Sequence, residues 1–135
     1  MLNIKEIQKG IDKDIKVVCK ESTQSTNLDV KEHIINIKKE RCVYIADKQT
    51  QGRGRIGHSF VSPNGGIYMS LFVDKKNVRD EDISLVTPIV AVAVAKAIEE
   101  NLGKQVDIKW INDLLYKDKK VCGILAEAMV KDNYI

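Results

Sequence analysis

The stretch Cys42-Val43-Tyr44-Ile45-Ala46 runs directly into Asp47-Lys48-Gln49-Thr50-Gln51-Gly52-Arg53-Gly54-Arg55-Ile56-Gly57. The first five residues form a short apolar run ended by a charge, the pattern of a compact strand. From Asp47 to Asn64 the chain is polar and glycine-rich with no hydrophobic period, and a loop of that length inside a small domain is more often functional than idle. Three of the eight glycines (52, 54, 57) and two of the four arginines (53, 55) fall within six residues, although elsewhere the chain prefers lysine. Glycine lets a backbone pass close to a ligand, and arginine brings a planar, permanently charged fork suited to phosphate or carboxylate. Together they describe a loop that wraps an anion. It is not a P-loop, since no Gly-Lys-Ser/Thr follows, and it is not a dinucleotide fingerprint, since no helix opens after it. A solvated loop with incidental arginines is the bland alternative.

Upstream of this loop, residues 3 to 10 read as a short helix ended by Gly10, and Ile15 to Cys19 as a brief β-branched strand. Thr26-Asn27-Leu28-Asp29 fits a capping box, with Leu28, Ile34, Ile35 and Ile37 on one face of a helix expected to run to about Lys39. Downstream, Gly66 to Val73 alternates as a strand does. Ile83 to Leu102 is apolar on most sides, as in a buried helix, with either Thr87 capping it ahead of Pro88 or a kink at Pro88, and Gly103 ends it. Val106 to Trp110 reads as a strand entering the turn-prone pair Asn112-Asp113. Leu114 to Tyr116 and Val121 to Ala128 flank Lys117-Asp118-Lys119-Lys120 as a hairpin.

Strands outnumber helices without a regular βαβ alternation. The expected fold class is therefore α+β, a mixed, largely antiparallel sheet backed by helices, in one globular domain over residues 1–135. At 135 residues and 44% hydrophobic content the chain can build a core without a disulfide or metal staple. Its 22 basic and 19 acidic residues are interspersed. Such a mixture does not point to nucleic acid or a membrane surface, and the basic residues form no stripe and no recognition helix. Cys19, Cys42 and Cys122 are odd in number, lie in apolar runs and lack zinc spacing, so buried free thiols in a reducing compartment are expected. The N-terminus has no apolar segment of the secretory kind, and a cytoplasmic location is expected.

A second candidate site lies in Lys109-Trp110-Ile111-Asn112-Asp113 followed by Lys119-Lys120-Val121-Cys122-Gly123. A strand end that carries Asn and Asp into a turn, then a hairpin returning with lysine, places a cation and a carboxylate at one sheet edge. The same residues are also ordinary turn and core residues. Ser25-Thr26-Asn27 is accounted for by helix capping, although hydroxyls at a helix start also face whatever binds there. His33, on a helix among charges, and His58, in the loop, make no metal site, and Glu127 receives no role.

Five segments in order resemble the biotin protein ligase family over nearly the whole chain: Ser25-Thr26-Asn27; Gln49-Thr50-x-Gly52-Arg53-Gly54-Arg55-x-Gly57; Ser62-Pro63; Lys109-Trp110-x-Asn112-Asp113; and Lys120-Val121-x-Gly123-Ile124-Leu125-x-Glu127. The resemblance implies a fold related to class II aminoacyl-tRNA synthetases and lipoate ligases. It implies an ATP-dependent ligase that activates biotin to biotinyl-5'-AMP and transfers biotin to a lysine of a biotin carboxyl carrier protein. ATP, biotin and Mg²⁺ are the implied small molecules. Ser25, Thr26 and Gln49 would contact biotin. Gly52, Arg53, Gly54 and Arg55 would fold over the adenylate, with the two arginines near its phosphate and carboxylate. Lys120 would act on the biotin carboxylate and α-phosphate, and Gly123 and Leu125 would line the biotin pocket. Arg55, Phe60, Asn112 and Asp113 would bind the nucleotide, the last two on the magnesium side, with no residue assigned as a metal ligand.

The family usually has Trp at Phe60, a basic residue at His58 and often Pro at Ile111. An aromatic face at Phe60 still suits adenine stacking, with less area. Family members continue through a Gly-Ile-Gly-x-Asn segment and a small C-terminal barrel. The chain is thus expected to be the N-terminal portion of the catalytic domain, with Ile4 to Ile11 resembling the connector after a repressor's helix-turn-helix domain. DNA binding through this chain and membrane association are not expected, and a homodimer is left open. Two alternatives stand beside the ligase: a catalytically incomplete biotin-binding or dimerising fragment, and a lipoate ligase relative, whose Arg-Arg-x-Ser-Gly-Gly-Gly type of loop is absent.

Overall fold

The computed structural model describes residues 2–36 and 41–129. The chain divides between Val73 and Asp74 into two compact units.

The first unit holds α1 (Ile4–Lys9), β1 (Lys16–Lys20), α2 (Thr26–Asn36), β2 (Cys42–Ala46) and β3 (Tyr68–Leu71). Helix α1 begins where the Asn3 side chain accepts from the amides of Lys5 and Glu6, a cap that contributes about 1 kcal/mol, and it stops at Gly10. The strands lie in the order β1-β2-β3. Strand β1 runs parallel to β2 from Lys16↔Cys42 to Lys20↔Ala46. A parallel pair needs a crossover, which α2 supplies. Strand β3 returns antiparallel to β2, from Val43↔Leu71 to Ala46↔Tyr68. Helix α2 lies against β2 and β3, and Val30, Cys42, Ile45 and Ala46 are buried there. The part of α2 expected at residues 37–39 lies outside the described residues.

The second unit holds α3 (Val86–Leu102), β4 (Asp107–Lys109), β5 (Asp113–Tyr116) and β6 (Lys119–Gly123), preceded by two 3₁₀ turns. The strands lie in the order β4-β5-β6, all antiparallel. Helix α3 does not start as expected. Leu85 occupies its N-cap, so Pro88 is the third helical residue, in the first turn where no amide needs an intrahelical acceptor, and neither a Thr87 cap nor a kink is required. Gly103 ends it in the left-handed conformation at φ 60°. Of its residues only Ala91 is buried, while Leu85 at its cap and Ile89, Val92 and Leu102 along it are exposed. The helix packs on β4 and β5 and the turn before it, so the apolar composition read as a buried helix is covered on one side only. The β5–β6 hairpin closes through Lys117 and Asp118, both with positive φ (50° and 62°), the twist-matched two-residue turn of antiparallel hairpins. It is shorter than the expected four-residue turn, and β6 ends at Gly123, ahead of the expected Ala128.

Of the four strand pairings among the described residues, three are antiparallel. The fold is α+β and largely antiparallel, as expected, with the strands in two three-stranded sheets, one mixed and one antiparallel, where a single sheet was expected. No helix is long and apolar enough to cross a membrane among the described residues. The cysteines are free, with Cys42 buried but Cys19 and Cys122 only partly so, which corrects the expectation that all three are buried.

Leu114, central in β5 and fully buried, anchors the second sheet. Leu114→Ala is expected to cost about 2–5 kcal/mol in a urea unfolding series; a change below half a kcal/mol would contradict that placement. Burial raises the Cys122 thiol above its ordinary value, as it does Cys19, helped there by Asp47. A raised pKa means less thiolate near pH 8, so both should be alkylated by iodoacetamide more slowly than a free cysteine at that pH and catch up only at higher pH.

Candidate functional site

The first helical turn of α2 is not closed by its own side chains. Ser25 lends its carbonyl to the amide of Asp29 (3.0 Å) and so stands at the N-cap. The Thr26 hydroxyl, expected to cap the helix, turns away from it. The Gln49 Oε1, from the loop after β2, accepts from both the Thr26 amide (2.9 Å) and the Thr26 hydroxyl (3.1 Å). Asp29, the expected partner in the capping box, pairs with Lys20 Nζ at 2.7 Å across to β1. A tertiary partner has displaced the local cap because the loop delivers a better-oriented acceptor, while β1 offers the carboxylate a cation.

Polar contacts extend in both directions from this pair. The Gln49 Nε2 donates to Ser62 Oγ (3.0 Å), which donates to the Phe60 carbonyl (2.9 Å). The Thr26 hydroxyl also meets Ser70 Oγ on β3 (2.8 Å), and Ser70 bonds the Asn27 side chain. Ser25, Thr26 and Ser62 are almost entirely buried. Burial of the Thr26 and Ser62 hydroxyls is tolerable because each has partners, and it builds a rigid polar corner at the end of an apolar sheet.

The glycine–arginine loop folds into a small arch. Phe60 N–H donates to the Gly52 carbonyl (2.8 Å), and Gly54 N–H to the His58 carbonyl (2.6 Å). Arg53 and Ser59 form an antiparallel bridge between them. The glycines serve different ends. Gly57 has φ 74°, following Ile56 at 53°, and makes the tip. Gly52 is needed for close approach: a Cβ there would overlap the Phe60 carbonyl oxygen and come within 2.7 Å of Ser62 Oγ and 3.1 Å of Gln49 Nε2. Gly54, with φ −108°, is extended backbone, and of the three only Gly57 has a positive φ. Arg53 and Arg55 are exposed on the arch. Phe60 packs edge-on to Tyr68, with ring centroids 6.3 Å apart.

In the second unit, Asp113 begins β5 and Lys120 lies on β6, diagonal to it on one face, with Lys120 Nζ 2.8 Å from Asp113 Oδ1. A cation and a carboxylate thus meet at the hairpin, as the residue types suggested. Asn112 exchanges bonds with Ile124: its carbonyl accepts from the Ile124 amide (2.8 Å), and its Nδ2 donates to the Ile124 carbonyl (3.3 Å). Gly123 pairs with Asp113, and Leu125 follows the strand half-buried. Ser25, Thr26, Gln49, the arch and Phe60 therefore belong to the first unit, and Asn112, Asp113, Lys120, Gly123 and Leu125 to the second.

His33 lies on α2, as expected, but its side chain is buried, with Nδ1 3.1 Å from the Tyr44 hydroxyl. Burial, aided by Cys42, pushes the Tyr44 phenol above its usual value and keeps it protonated. Two participants in the polar corner had no assigned role from sequence, Ser62 and Ser70. Ser70 carried a signal, since it is the polar residue of an otherwise apolar strand; Ser62 stood only as half of a Ser-Pro pair.

The sequence profile of the Biotin/lipoate A/B protein ligase family matches residues 17–133. The chain belongs to that family. It is 38% identical over 112 residues to the bifunctional ligase/repressor BirA of Bacillus subtilis (strain 168), covering 82% of this chain and 34% of that protein. The BirA of Bacillus spizizenii matches at 34% identity over 99% of this chain and 42% of its own length, so the chain spans less than half the length of these curated relatives. The biotin protein ligase from Aquifex aeolicus, solved in complex with biotin and ATP, superposes with a TM-score of 0.72 at 27% identity, over 88% of this chain and 48% of that one. The fold also matches that of the biotin protein ligase from Leishmania major in complex with biotinyl-5-AMP, with a TM-score of 0.77 at 24% identity over 92% of this chain and 55% of that one.

The crowding around Gly52 sets a test of the polar corner. Gly52→Ala is expected to destabilise the first unit by about 1–3 kcal/mol, because the new methyl group forces the Phe60 carbonyl and the Ser62 hydroxyl apart. Thermal unfolding with an unchanged midpoint would show that the corner is not packed as described.

Proposed function

We propose that this chain carries the biotin-activating part of an ATP-dependent biotin protein ligase, with biotin held at the Thr26–Gln49 corner and its carboxylate and the α-phosphate of ATP met by Arg53, Arg55 and Lys120. The observation that carries this reading is Gln49: one side chain joins the start of α2 to the glycine–arginine arch, so a ligand at the helix start lies next to backbone built for an anion. Membership of a family whose solved members include complexes with biotin, ATP and biotinyl-5-AMP supports it.

In this reaction the biotin carboxylate attacks the α-phosphorus and pyrophosphate leaves. Negative charge grows on the phosphoryl oxygens, where fixed cations stabilise the transition state more than the ground state. Arg53 and Arg55 present two guanidinium forks from a backbone held at both ends of the arch. Lys120 reaches from the hairpin with Asp113 beside it, and the carboxylate keeps the ammonium oriented in the absence of phosphate. A lysine amine of a biotin carboxyl carrier protein then attacks the acyl carbon of the mixed anhydride, and AMP leaves. Exclusion of water protects that anhydride, a task suited to an arch lying over the reacting groups.

Asn112 and Asp113 offer hard oxygen donors. They suit Mg²⁺ shared with nucleotide phosphates, which would add charge neutralisation at the leaving pyrophosphate. Ser25 would complete the biotin corner, Gly123 and Leu125 would contribute apolar contacts to biotin, and Phe60 would stack against adenine. The free thiols support a reducing, cytoplasmic setting.

Lys120→Ala and Arg55→Ala are each expected to lower biotin-dependent pyrophosphate release more than tenfold, about 1.4 kcal/mol of barrier or more; wild-type rates in both would overturn these roles. Mass spectrometry of a biotin carboxyl carrier domain incubated with the chain, ATP, Mg²⁺ and biotin tests the whole reading by the added biotinyl mass. In calorimetry, affinity that tightens with biotin plus ATP over biotin alone marks an adenylate-forming enzyme, whereas equal affinities mark a biotin-binding piece without the chemistry.

A further inference from the structure

The hydrogen bonds at Gln49 permit a proton count. The Phe60 carbonyl can only accept, so the single hydroxyl proton of Ser62 is committed to it (2.9 Å). Ser62 Oγ can then serve Gln49 only as an acceptor, and the amide nitrogen is the only end of Gln49 able to supply a proton. The two ends of a glutamine amide are nearly alike in shape, so packing alone barely distinguishes them. The distinction comes from both neighbours: Ser62 Oγ takes the nitrogen, and the Thr26 N–H, which can only donate, takes the oxygen. With the nitrogen held on Ser62, the oxygen faces α2, where it takes the Thr26 amide and the Thr26 hydroxyl. The Thr26 amide fills one acceptor position of that oxygen, the single proton of the Thr26 hydroxyl is shared between it and Ser70 Oγ, and one of the two amide protons of Gln49 is used. One N–H of Gln49 remains for a ligand.

We propose that Ser62 is a positioning residue that sets the polarity of the binding corner: it locks the Gln49 amide so that Gln49 meets the ligand as a hydrogen-bond donor. The bound molecule must therefore offer Gln49 an acceptor atom, such as the oxygen or sulfur of a small heterocycle. Ser62 does this from a buried position, 5% exposed. With alanine at 62 the amide nitrogen loses its acceptor, and only the Thr26 N–H still opposes rotation of the amide. The flipped form would present oxygen to the ligand and nitrogen to the Thr26 amide, leaving a donor against a donor beneath the start of α2.

The choice of biotin as probe rests on the proposed function, but the amide orientation does not, and the two are measured separately. In the full chain labelled with ¹⁵N, the Gln49 side-chain amide is expected to show one proton protected from solvent exchange. The protection is lost in Ser62→Ala and restored in Ser62→Thr. Biotin titration by calorimetry is expected to give about tenfold weaker binding for Ser62→Ala, near-native binding for Ser62→Thr, and no further loss when Ser62→Ala is added to Gln49→Ala. That non-additivity separates action through Gln49 from a general loss of packing, which would add to any background. Unchanged Gln49 protection in a folded Ser62→Ala chain, or fully additive effects of the two substitutions, overturns the proposal. If the wild-type chain shows no biotin binding, the functional reading fails while the amide spectra still decide the role of Ser62. Should Ser62→Ala fail to fold, Ser62→Cys, which keeps a weaker acceptor at the same place, is expected to show intermediate protection; full wild-type protection there counts against the proposal.

Discussion

One side-chain amide holds the first unit together at its functional end. Gln49 spans from the first amide of α2 to the buried hydroxyl of Ser62, and the glycine–arginine arch is built around that span. A helix start leaves amide donors that must be satisfied by something, and here the acceptor arrives from a loop more than twenty residues on. Helix, loop and β3 are therefore not independent. Gly52 has no side chain because the Phe60 carbonyl, Ser62 and Gln49 already occupy the space, and Thr26 is buried because its hydroxyl serves the same cluster.

The rest of the unit supports that arrangement from behind. The Lys20–Asp29 ion pair ties the first turn of α2 to β1, and Tyr44 links the underside of the helix to β2 through His33. These contacts fix α2 along its length and constrain the rotamers of the groups at its start. Preorganisation of that kind lowers the entropic cost of binding. The second unit reaches a comparable result by a different route. Its hairpin sets Asp113 and Lys120 diagonally on one face, and a two-residue turn with positive φ at both positions keeps the register that brings them together.

Much of this was legible in the order of residues. Strand β2, the ends of α1, the Gly103 stop of α3 and the β5–β6 hairpin follow from short-range rules of apolar pattern, caps and turns, which act within a few residues. The clustering of glycine and arginine marked the arch, whereas the Asn-Asp and Lys positions marked a hairpin turn whose residues are also ordinary ones for such a turn. What escaped local reading was decided at long range. The capping box at Thr26–Asp29 satisfied every local rule, yet each of its side chains found a better partner on another element. Likewise α3 has the composition of a helix buried all round but is packed on one side within its unit.

By itself, then, the sequence determined most secondary elements, the α+β class, the family and the residue types gathered in the glycine–arginine arch, since these depend on periodicity, turn preference and residue type. Tertiary structure alone decided which hydroxyls became buried partners, that Gln49 caps α2, that Gly52 serves close approach where Gly57 serves a turn, and that Lys120 pairs with Asp113. Hydrogen-bond partners are chosen by distance and angle in space, and residues such as Ser62 and Ser70 acquire their meaning only when the loop and β3 are folded against the start of the helix.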